Sequence, residues 1–246
     1  MSKFQLDRFS NAEELAGSAA RDWLREAEQP TRAKGRFCVA LLGGRIAGTF
    51  FSSVAELARN ESRRLDDVEF FWSDERCVPP ESPESNYAAA RDRLLRPLRI
   101  PENHIHRIRG ELAPEKAGAE ATAELLRFAA QNPDGQPVCD LILLGMGPDG
   151  HVASLFPTES EEARSSEAVF RPVIGPKPPP QRITMGYPAI AAATRVWVLV
   201  SGAGKEKALG ESLSRQGRTP LARVLNSRTG TRVFTDLKIP ASAAVG

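Results

Sequence analysis

Short apolar runs alternate along this chain with segments in which apolar residues recur at helical spacing. The apolar runs are rich in β-branched and aromatic side chains, which is typical of buried strands. They predict strands at 37–42, 68–72, 140–144, 168–173, 182–185, 195–200 and 231–234, and a shorter strand at 104–108. The segments of helical spacing predict helices at about 10–27, 50–59, 85–95, 114–130 and 205–213. Strands that alternate with helices indicate an α/β protein with a mostly parallel sheet.

Local signals mark the ends of some elements. Ser10 and Glu13 have the spacing of a capping box, in which the hydroxyl caps the first helix and the carboxylate reaches back to the cap. The proline-rich run 175–180 is expected to be an extended loop, because consecutive prolines exclude both helix and ladder pairing. No repeat or interdomain linker interrupts the chain, so we predict one α/β domain over 1–246, with a disordered tail from about residue 240.

Composition narrows the range of partners. The 246 residues include 33 Lys and Arg against 31 Asp and Glu, a formal net charge of +2. This balance disfavours a nucleic-acid or anionic-membrane surface, which needs basic residues in excess. The apolar runs fall far short of the ~20 residues of a membrane span, and the N-terminal residues lack the apolar core of a signal peptide. We therefore expect a cytoplasmic protein, either a monomer or a small homo-oligomer.

The three cysteines, Cys38, Cys77 and Cys139, are odd in number and widely spaced. Such a pattern favours neither a disulfide framework nor a thiolate metal site.

Candidate chemistry follows the ends of the predicted strands, because an open α/β sheet binds ligands at the carboxyl ends of its strands. Four such segments carry glycines or charged residues: 43–44, 73–76, 145–151 and 201–205. Together they supply backbone amides, cations, carboxylates and one imidazole. This set of groups predicts an anion site beside an acid/base group.

Two nucleotide-binding motifs are tested against these glycines. Gly43 to Gly48 has the spacing of a P-loop, but Thr49 stands where the phosphate-binding lysine belongs, so we reject that interpretation. Residues 145–150 match the dinucleotide fingerprint Gly-x-Gly-x-x-Gly, but Pro157 interrupts the helix that the fingerprint requires.

The fingerprint also leaves Asp149 and His151 unexplained, two titratable groups in a glycine-rich loop. Histidine is the natural general base near neutral pH, so we predict a catalytic role for His151. His104 and His106 lie in a polar segment and are expected to be surface or strand residues.

Further cations are candidates for binding an anion. Lys205 follows Gly202 and Gly204 at the start of a predicted helix, where amide donors and the helix dipole favour a phosphate. Either Arg171 or Arg182 is a third candidate, and the sequence does not rank the two.

Two longer motifs resemble those of a known family. Residues 72–80 read WSDERCVPP and precede the Ser-Asn-Tyr of 85–87, which resembles the DERxVP…SNY signature of 6-phosphogluconolactonases. Residues 145–157 read GMGPDGHVASLFP, which is similar to the GxGxDGHxASLFP signature of that family. Residues 182–185 and 202–205 are similar to its weaker C-terminal patterns. The resemblance extends from about residue 37 to residue 234.

This resemblance implies a Rossmann-like three-layer α/β sandwich of the kind found in glucosamine-6-phosphate deaminase and ribose-5-phosphate isomerase. It implies a carboxylic ester hydrolase of the pentose phosphate pathway that hydrolyses 6-phospho-D-glucono-1,5-lactone without a metal or other cofactor. The catalytic residues that it implies are His151 and Asp149. The substrate-binding residues that it implies are Gly43, Gly44, Asp74, Arg76, Asn86, Gly147 and Lys205.

One position departs from the family pattern. The first glycine-rich loop of the family usually reads Ser-Gly-Gly, whereas Leu42 precedes Gly43 in this chain, so a hydroxyl that would bind phosphate is absent. Arg45 and Thr49 are the residues expected to compensate.

In the expected mechanism, the glycine amides of 43–44 with Arg76 and Lys205 hold the phosphate. His151 deprotonates a water that attacks C1 and then returns the proton to the ring oxygen. Two alternatives stay open: a glucosamine-6-phosphate deaminase or isomerase, and a sugar-phosphate-binding protein without catalysis. The deaminase is disfavoured because that family continues after its histidine toward Phe-Asn-Glu-Pro, unlike this chain.

Overall fold

The computed structural model of the chain describes residues 4–28 and 35–239, and the tail predicted from residue 240 lies outside them. The strands are β1 Phe4–Arg8, β2 Phe37–Leu41, β3 Val68–Trp72, β4 Asp74–Arg76, β5 Ala130–Gln131, β6 Pro137–Val138, β7 Leu141–Gly145, β8 Phe170–Ile174, β9 Gln181–Met185, β10 Arg195–Val200 and β11 Thr231–Thr235. The α-helices are α1 Ala12–Ala27, α2 Arg45–Asn60, α3 Asn86–Ala90, α4 Pro114–Phe128, α5 Glu161–Arg164, α6 Tyr187–Ala192, α7 Glu206–Leu213 and α8 Pro220–Ser227. A π-helical turn, Arg91–Leu95, continues α3, and a 3-10 turn occupies Glu102–His104.

A six-stranded sheet forms the centre of the fold, in the order β1-β11-β10-β7-β2-β3. Its strand pairs are parallel. Every residue of β2 and β3 is buried, as expected for parallel strands that helices cover on both faces. The predicted α/β fold with a mostly parallel sheet is confirmed. A second, antiparallel sheet, β4-β9-β8, lies beside it and contributes to the cavity described below.

Several elements differ from the sequence predictions. The predicted strand at 104–108 is wrong, since this segment begins in the 3-10 turn and Ile105 forms an isolated bridge with Phe70. Helix α2 begins five residues earlier than predicted, because the turn that precedes it ends at Gly44. The hydrophobic pattern misses β1, β4, β5, β6, α5, α6 and α8. The three residues of β4 are all charged and carry no apolar signal.

The capping box of α1 lies one residue later than predicted. Asn11, with extended backbone, accepts a hydrogen bond from the backbone N–H of Glu14 at 2.8 Å. The carboxylate of Glu14 in turn accepts from the backbone N–H of Ser10 at 2.8 Å. Ser10 therefore takes part through its backbone, and Glu13 is not the reciprocal partner.

The parallel sheet gathers the candidate segments at one edge. Leu41 of β2 lies opposite Trp72 of β3, and Leu199 of β10 lies opposite Gly145 of β7. The loops that leave these four strands therefore start at similar heights on the same edge. Within the described residues, none of the helices has both the length and the apolar character that a membrane span requires.

Candidate active site

A cavity of about 310 Å³ opens at this edge of the sheet. Eight of the residues predicted for the site line it: Gly43, Gly44, Asp74, Arg76, Asn86, Gly147, His151 and Lys205. Asp149 lies beside it, in contact with His151. Three further cations line the cavity: Arg45 and Arg182, which the sequence offered as candidates, and Lys177, which it did not.

His151 and Asp149 form a hydrogen-bonded pair on the loop that follows β7. The Nδ1 atom of His151 lies 2.5 Å from Oδ1 of Asp149. Partial burial raises the pKa of Asp149, but the hydrogen bond and charge of His151 outweigh it, so the pKa lies below its ordinary value. An ionised carboxylate only accepts hydrogen bonds, so Nδ1 carries the proton. Nε2 is then the basic nitrogen, and no residue in 4–28 or 35–239 hydrogen-bonds to it.

Two contacts hold the imidazole of His151 in place. A Cβ atom on Gly147 would overlap the Cε1 and Nδ1 atoms of the ring, so only glycine permits this approach. On another side, the ring packs on buried Phe156 at a centroid distance of 4.8 Å. The backbone N–H of Gly147 donates to the carbonyl of His151 at 2.9 Å, which closes the loop on itself.

Asp74 is a buried carboxylate at the floor of the cavity. Its Oδ2 atom accepts from the hydroxyl of Ser154 at 2.6 Å, and its Oδ1 atom accepts from the amide of Asn86 at 3.2 Å. Ser154 is fully buried and already donates to this carboxylate. Asn86 in turn lies so close to Gly43 that a Cβ atom there would overlap its amide group. The three polar side chains thus support the floor of the cavity.

Glu75 points away from the cavity and organises α3. Its carboxylate accepts from the backbone N–H groups of Arg76, Asn86 and Tyr87 and from the hydroxyl of Ser85, at 2.7 to 2.9 Å. Side chains alternate along a strand, which separates Glu75 from its two cavity-lining neighbours. Glu75 therefore has a structural position within a motif whose three charged residues look equivalent in the sequence.

Glu75 makes the stability of the fold depend on pH. Burial raises its pKa from the ordinary 4.5 to about 7, against the effect of its four donors. Between pH 4.5 and about 7 the folded chain keeps the proton on Glu75, whereas the unfolded chain releases it. The stabilisation that this proton provides is fully present below pH 4.5 and is lost as the pH rises through about 7. We expect the free energy of unfolding of the wild-type protein to fall over this pH window. The fall should exceed that of Glu75→Gln, which has no carboxylate to titrate, by on the order of 3 kcal/mol. Urea unfolding of both proteins across the window measures this, and parallel pH curves would contradict it.

The N-terminus of α2 supplies backbone donors to the cavity. Gly44 precedes the helix with a φ of 88° and offers no side-chain cap, so the first amides of the helix are open to a ligand. Leu42 is fully buried and does not line the cavity. Of the two residues expected to compensate for the missing hydroxyl, Arg45 lines the cavity and Thr49 does not.

Lys205 lies at the same end of the cavity as Arg45. Burial lowers its pKa, the positive charge of Arg45 lowers it further, and Asp236 opposes both. The two cations repel each other, and a bound dianion would relieve that repulsion. The amides, Arg45 and Lys205 therefore form a site suited to a phosphate group.

Arg76 and Arg182 lie on neighbouring strands at another part of the cavity. They are directly opposite in the register of β4 and β9. Burial lowers the pKa of Arg182, and the charge of Arg76 lowers it further. The choice that the sequence left open is now decided, because Arg171 pairs with Glu159 at 2.8 Å and does not line the cavity, whereas Arg182 does.

The remaining candidate residues lie elsewhere. The side chain of His106 is buried between Glu69 and Glu124, at 2.8 and 2.9 Å, so its expected surface or strand position is corrected to a buried hydrogen-bonded one. Burial raises the pKa of Cys77 to about 11, and the charges of Glu75 and Glu115 add to this, so its thiol stays protonated. Within residues 4–28 and 35–239, no three His, Cys, Asp or Glu side chains are grouped to hold a metal ion.

The chain is similar over most of its length to known proteins. The family described as glucosamine-6-phosphate isomerases/6-phosphogluconolactonase matches residues 10–234. The human 6-phosphogluconolactonase is 37% identical over 226 residues, which cover 90% of this chain and 86% of the human protein. The structure of 6-phosphogluconolactonase from Trypanosoma brucei superposes with a TM-score of 0.84 at 25% identity, over 96% of this chain and 97% of that chain.

A monomeric glucosamine-6-phosphate deaminase also superposes, with a TM-score of 0.80 at 19% identity, over 98% of each chain. That likeness shows a shared fold. The extent of the family match, the identity to the human protein and the arrangement of the cavity lead to one conclusion: the chain belongs to the glucosamine-6-phosphate isomerase/6-phosphogluconolactonase family.

Proposed function

We propose that this chain hydrolyses 6-phospho-D-glucono-1,5-lactone to 6-phospho-D-gluconate, the lactonase step of the oxidative pentose phosphate pathway. The observation that carries the proposal is the pair of His151 and Asp149 beside a cavity lined by cations, with no hydrogen-bond partner for Nε2 of His151 among the described residues. Relatives named 6-phosphogluconolactonase support it over most of the chain. A cytoplasmic location stays a prediction.

The phosphate of the substrate lies, in this proposal, at the N-terminus of α2. The open amides of the helix, Arg45 and Lys205 are donors of the kind that bind a phosphate dianion. Arg45 supplies a charged donor in the loop where the family's usual serine hydroxyl is missing. Bound in this way, the phosphate anchors one end of the sugar.

His151 acts as the general base and then as the general acid. Nε2 takes one proton from a water as its oxygen attacks C1, and the carbonyl electron pair moves onto the carbonyl oxygen. When this pair returns, the bond from C1 to the ring oxygen breaks, and the imidazolium gives its proton to that oxygen. Asp149 holds the ring in the required tautomer and stabilises its positive charge. The second proton of the water leaves the new carboxylic acid for solvent.

Water is the nucleophile in this mechanism. Ser154 is the hydroxyl nearest in sequence to His151, but it is fully buried and donates to Asp74. A lactone is an activated ester, so a covalent intermediate is not needed. The chemistry requires only a base, a site for the phosphate and donors for the carbonyl oxygen.

We expect the purified protein to accelerate the loss of fresh lactone, generated in the assay by glucose-6-phosphate dehydrogenase, well above its spontaneous hydrolysis. A blank without the protein gives the spontaneous rate, and glucosamine 6-phosphate tested for ammonia release addresses the deaminase alternative. No excess over the blank would refute the proposal. Ammonia release without lactone hydrolysis would instead assign the deaminase activity.

A further inference from the structure

Four of the five cations that line the cavity fall into two groups, and the fifth, Lys177, belongs to the proline-rich loop 175–180. Arg45 and Lys205 lie beside the N-terminus of α2, and each is within electrostatic reach of the other. Arg76 and Arg182 form the second group, on the antiparallel sheet. The phosphate proposed above occupies the first group, so it leaves the second group without a role.

The second group lies at the His151 end of the cavity. The guanidinium carbon of Arg182 is 5.6 Å from the centroid of the Phe156 ring. The imidazole of His151 packs on the same ring, at 4.8 Å between centroids. Arg182 and His151 therefore share an aromatic neighbour and line the same cavity, in which the reacting carbon must lie within reach of the base.

The two arginines of this group keep free N–H donors within the described part of the chain even though carboxylates lie near them: Arg76 pairs with Glu84 at 3.4 Å, and the charges of Asp74 and Glu84 act on Arg182. Arg182 donates from Nε to the carbonyl of Pro179 at 3.1 Å and from Nη2 to that of Lys177 at 3.3 Å. Its Nη1 has no hydrogen-bond partner in the part of the chain that the structure describes. Nη1 of Arg76 donates to the carbonyl of Glu84 at 2.8 Å and to its carboxylate at 3.4 Å. The buried Nε of Arg76 has no hydrogen-bond partner among the described residues. Two adjacent guanidinium groups with free N–H donors favour an anion between them.

The chemistry of the reaction provides such an anion. The lactone is negatively charged at its phosphate alone, whereas the product has both a phosphate and a carboxylate. Between the two, the carbonyl oxygen of C1 carries a full negative charge in the tetrahedral intermediate. The second anionic group of the ligand thus develops at C1, next to His151.

We propose that Arg182 and Arg76 form a second anion subsite, which stabilises the oxyanion on C1 and then binds the carboxylate of the product. This inference rests on the proposed lactonase function. It assigns the two ends of the cavity to different groups of one ligand: the phosphate to Arg45 and Lys205, and C1 to Arg76 and Arg182. Arg76, expected from the family resemblance to bind the phosphate or the substrate, then acts at C1.

A comparison of two ligands tests the two subsites independently. 6-Phosphogluconate carries a phosphate and a carboxylate, whereas glucitol 6-phosphate has the same length and phosphate but a hydroxyl group at C1. We expect the protein to bind 6-phosphogluconate more tightly, and Arg182→Gln to weaken that binding roughly 10- to 100-fold with little effect on glucitol 6-phosphate. Lys205→Gln should weaken both ligands by a similar factor. Titration calorimetry measures all of these dissociation constants.

Arg76→Gln acts on the same subsite from another strand, so it should reduce the preference for 6-phosphogluconate as Arg182→Gln does. Exposed Arg64, paired with Asp66 away from the cavity, provides the matched control Arg64→Gln, which should change neither constant. Thermal unfolding identifies a variant that does not fold, and the other arginine variant then decides the outcome.

An unchanged preference in the arginine variants, or equal weakening of both ligands, would overturn the subsite while leaving lactone hydrolysis intact. A wild-type protein that neither binds these ligands nor hydrolyses the lactone would overturn the proposed function as well.

Discussion

Replacement of His151 by alanine is expected to lower kcat for the lactone by about 1000-fold, within the range of general acid–base catalysis. KM should change little, because the donors proposed for the phosphate belong to other elements. The loss has a single physical origin: no other described side chain places a free basic nitrogen beside Gly147 in this cavity. Steady-state kinetics with freshly generated lactone, corrected for spontaneous hydrolysis, measure the effect.

Two further variants make this experiment specific. Asp149→Asn presents an amide donor to Nδ1, which favours the tautomer with its proton on Nε2, so kcat should also fall steeply while the fold is retained. His104→Gln removes an imidazole outside the cavity and should leave kcat unchanged. A near-normal rate in His151→Ala would end the assignment of His151 as the base.

The second large effect is expected from Gly147→Ala, a change of one methyl group. The added Cβ would overlap the imidazole of His151, so the ring must leave its position beside Asp149. A displacement of about 1 Å costs on the order of 100-fold in rate, so kcat should fall by at least that factor. The same steady-state assay, with thermal unfolding to check the fold, measures the result.

Gly17→Ala is the matched control for this variant. Gly17 lies in α1, where the nearest atom to an added Cβ is 3.8 Å away, so both kcat and stability should be retained. If misplacement of His151 is the cause, adding Gly147→Ala to His151→Ala should lower kcat no further, since the ring is already absent. A full rate in the single Gly147 variant would show that the packing of this ring is not needed for activity.

The catalytic loop is predictable from the sequence because its interactions are local. Asp149 and His151 are two residues apart, and Gly147 is four residues from the ring that it accommodates. The loop follows β7, whose apolar run is evident in the hydrophobic pattern. A short loop that follows a clearly predicted strand can adopt few conformations. The sequence therefore indicated both the position of this loop and its chemistry.

The cations were harder to assign, because their positions depend on contacts between distant segments. Arg171 and Arg182 are equivalent by type and belong to adjacent strands. Arg171 pairs with Glu159. Arg182 faces the cavity and lies opposite Arg76, which is 106 residues earlier in the chain. No local pattern encodes this pairing, and the short charged strand β4 that creates it gave no hydrophobic signal.

The sequence by itself determined the alternation of strands and helices, the parallel sheet and the loop that carries His151, since each follows from the periodicity of nearby residues. Only the tertiary structure decided that Glu75 is structural, that Leu42 is buried while Arg45 reaches the cavity, and that four of the cavity cations form two groups. The physical reason is that strand register and side-chain direction are set by packing across the whole sheet. A one-residue change of register would turn Arg182 away from the cavity without altering any local preference.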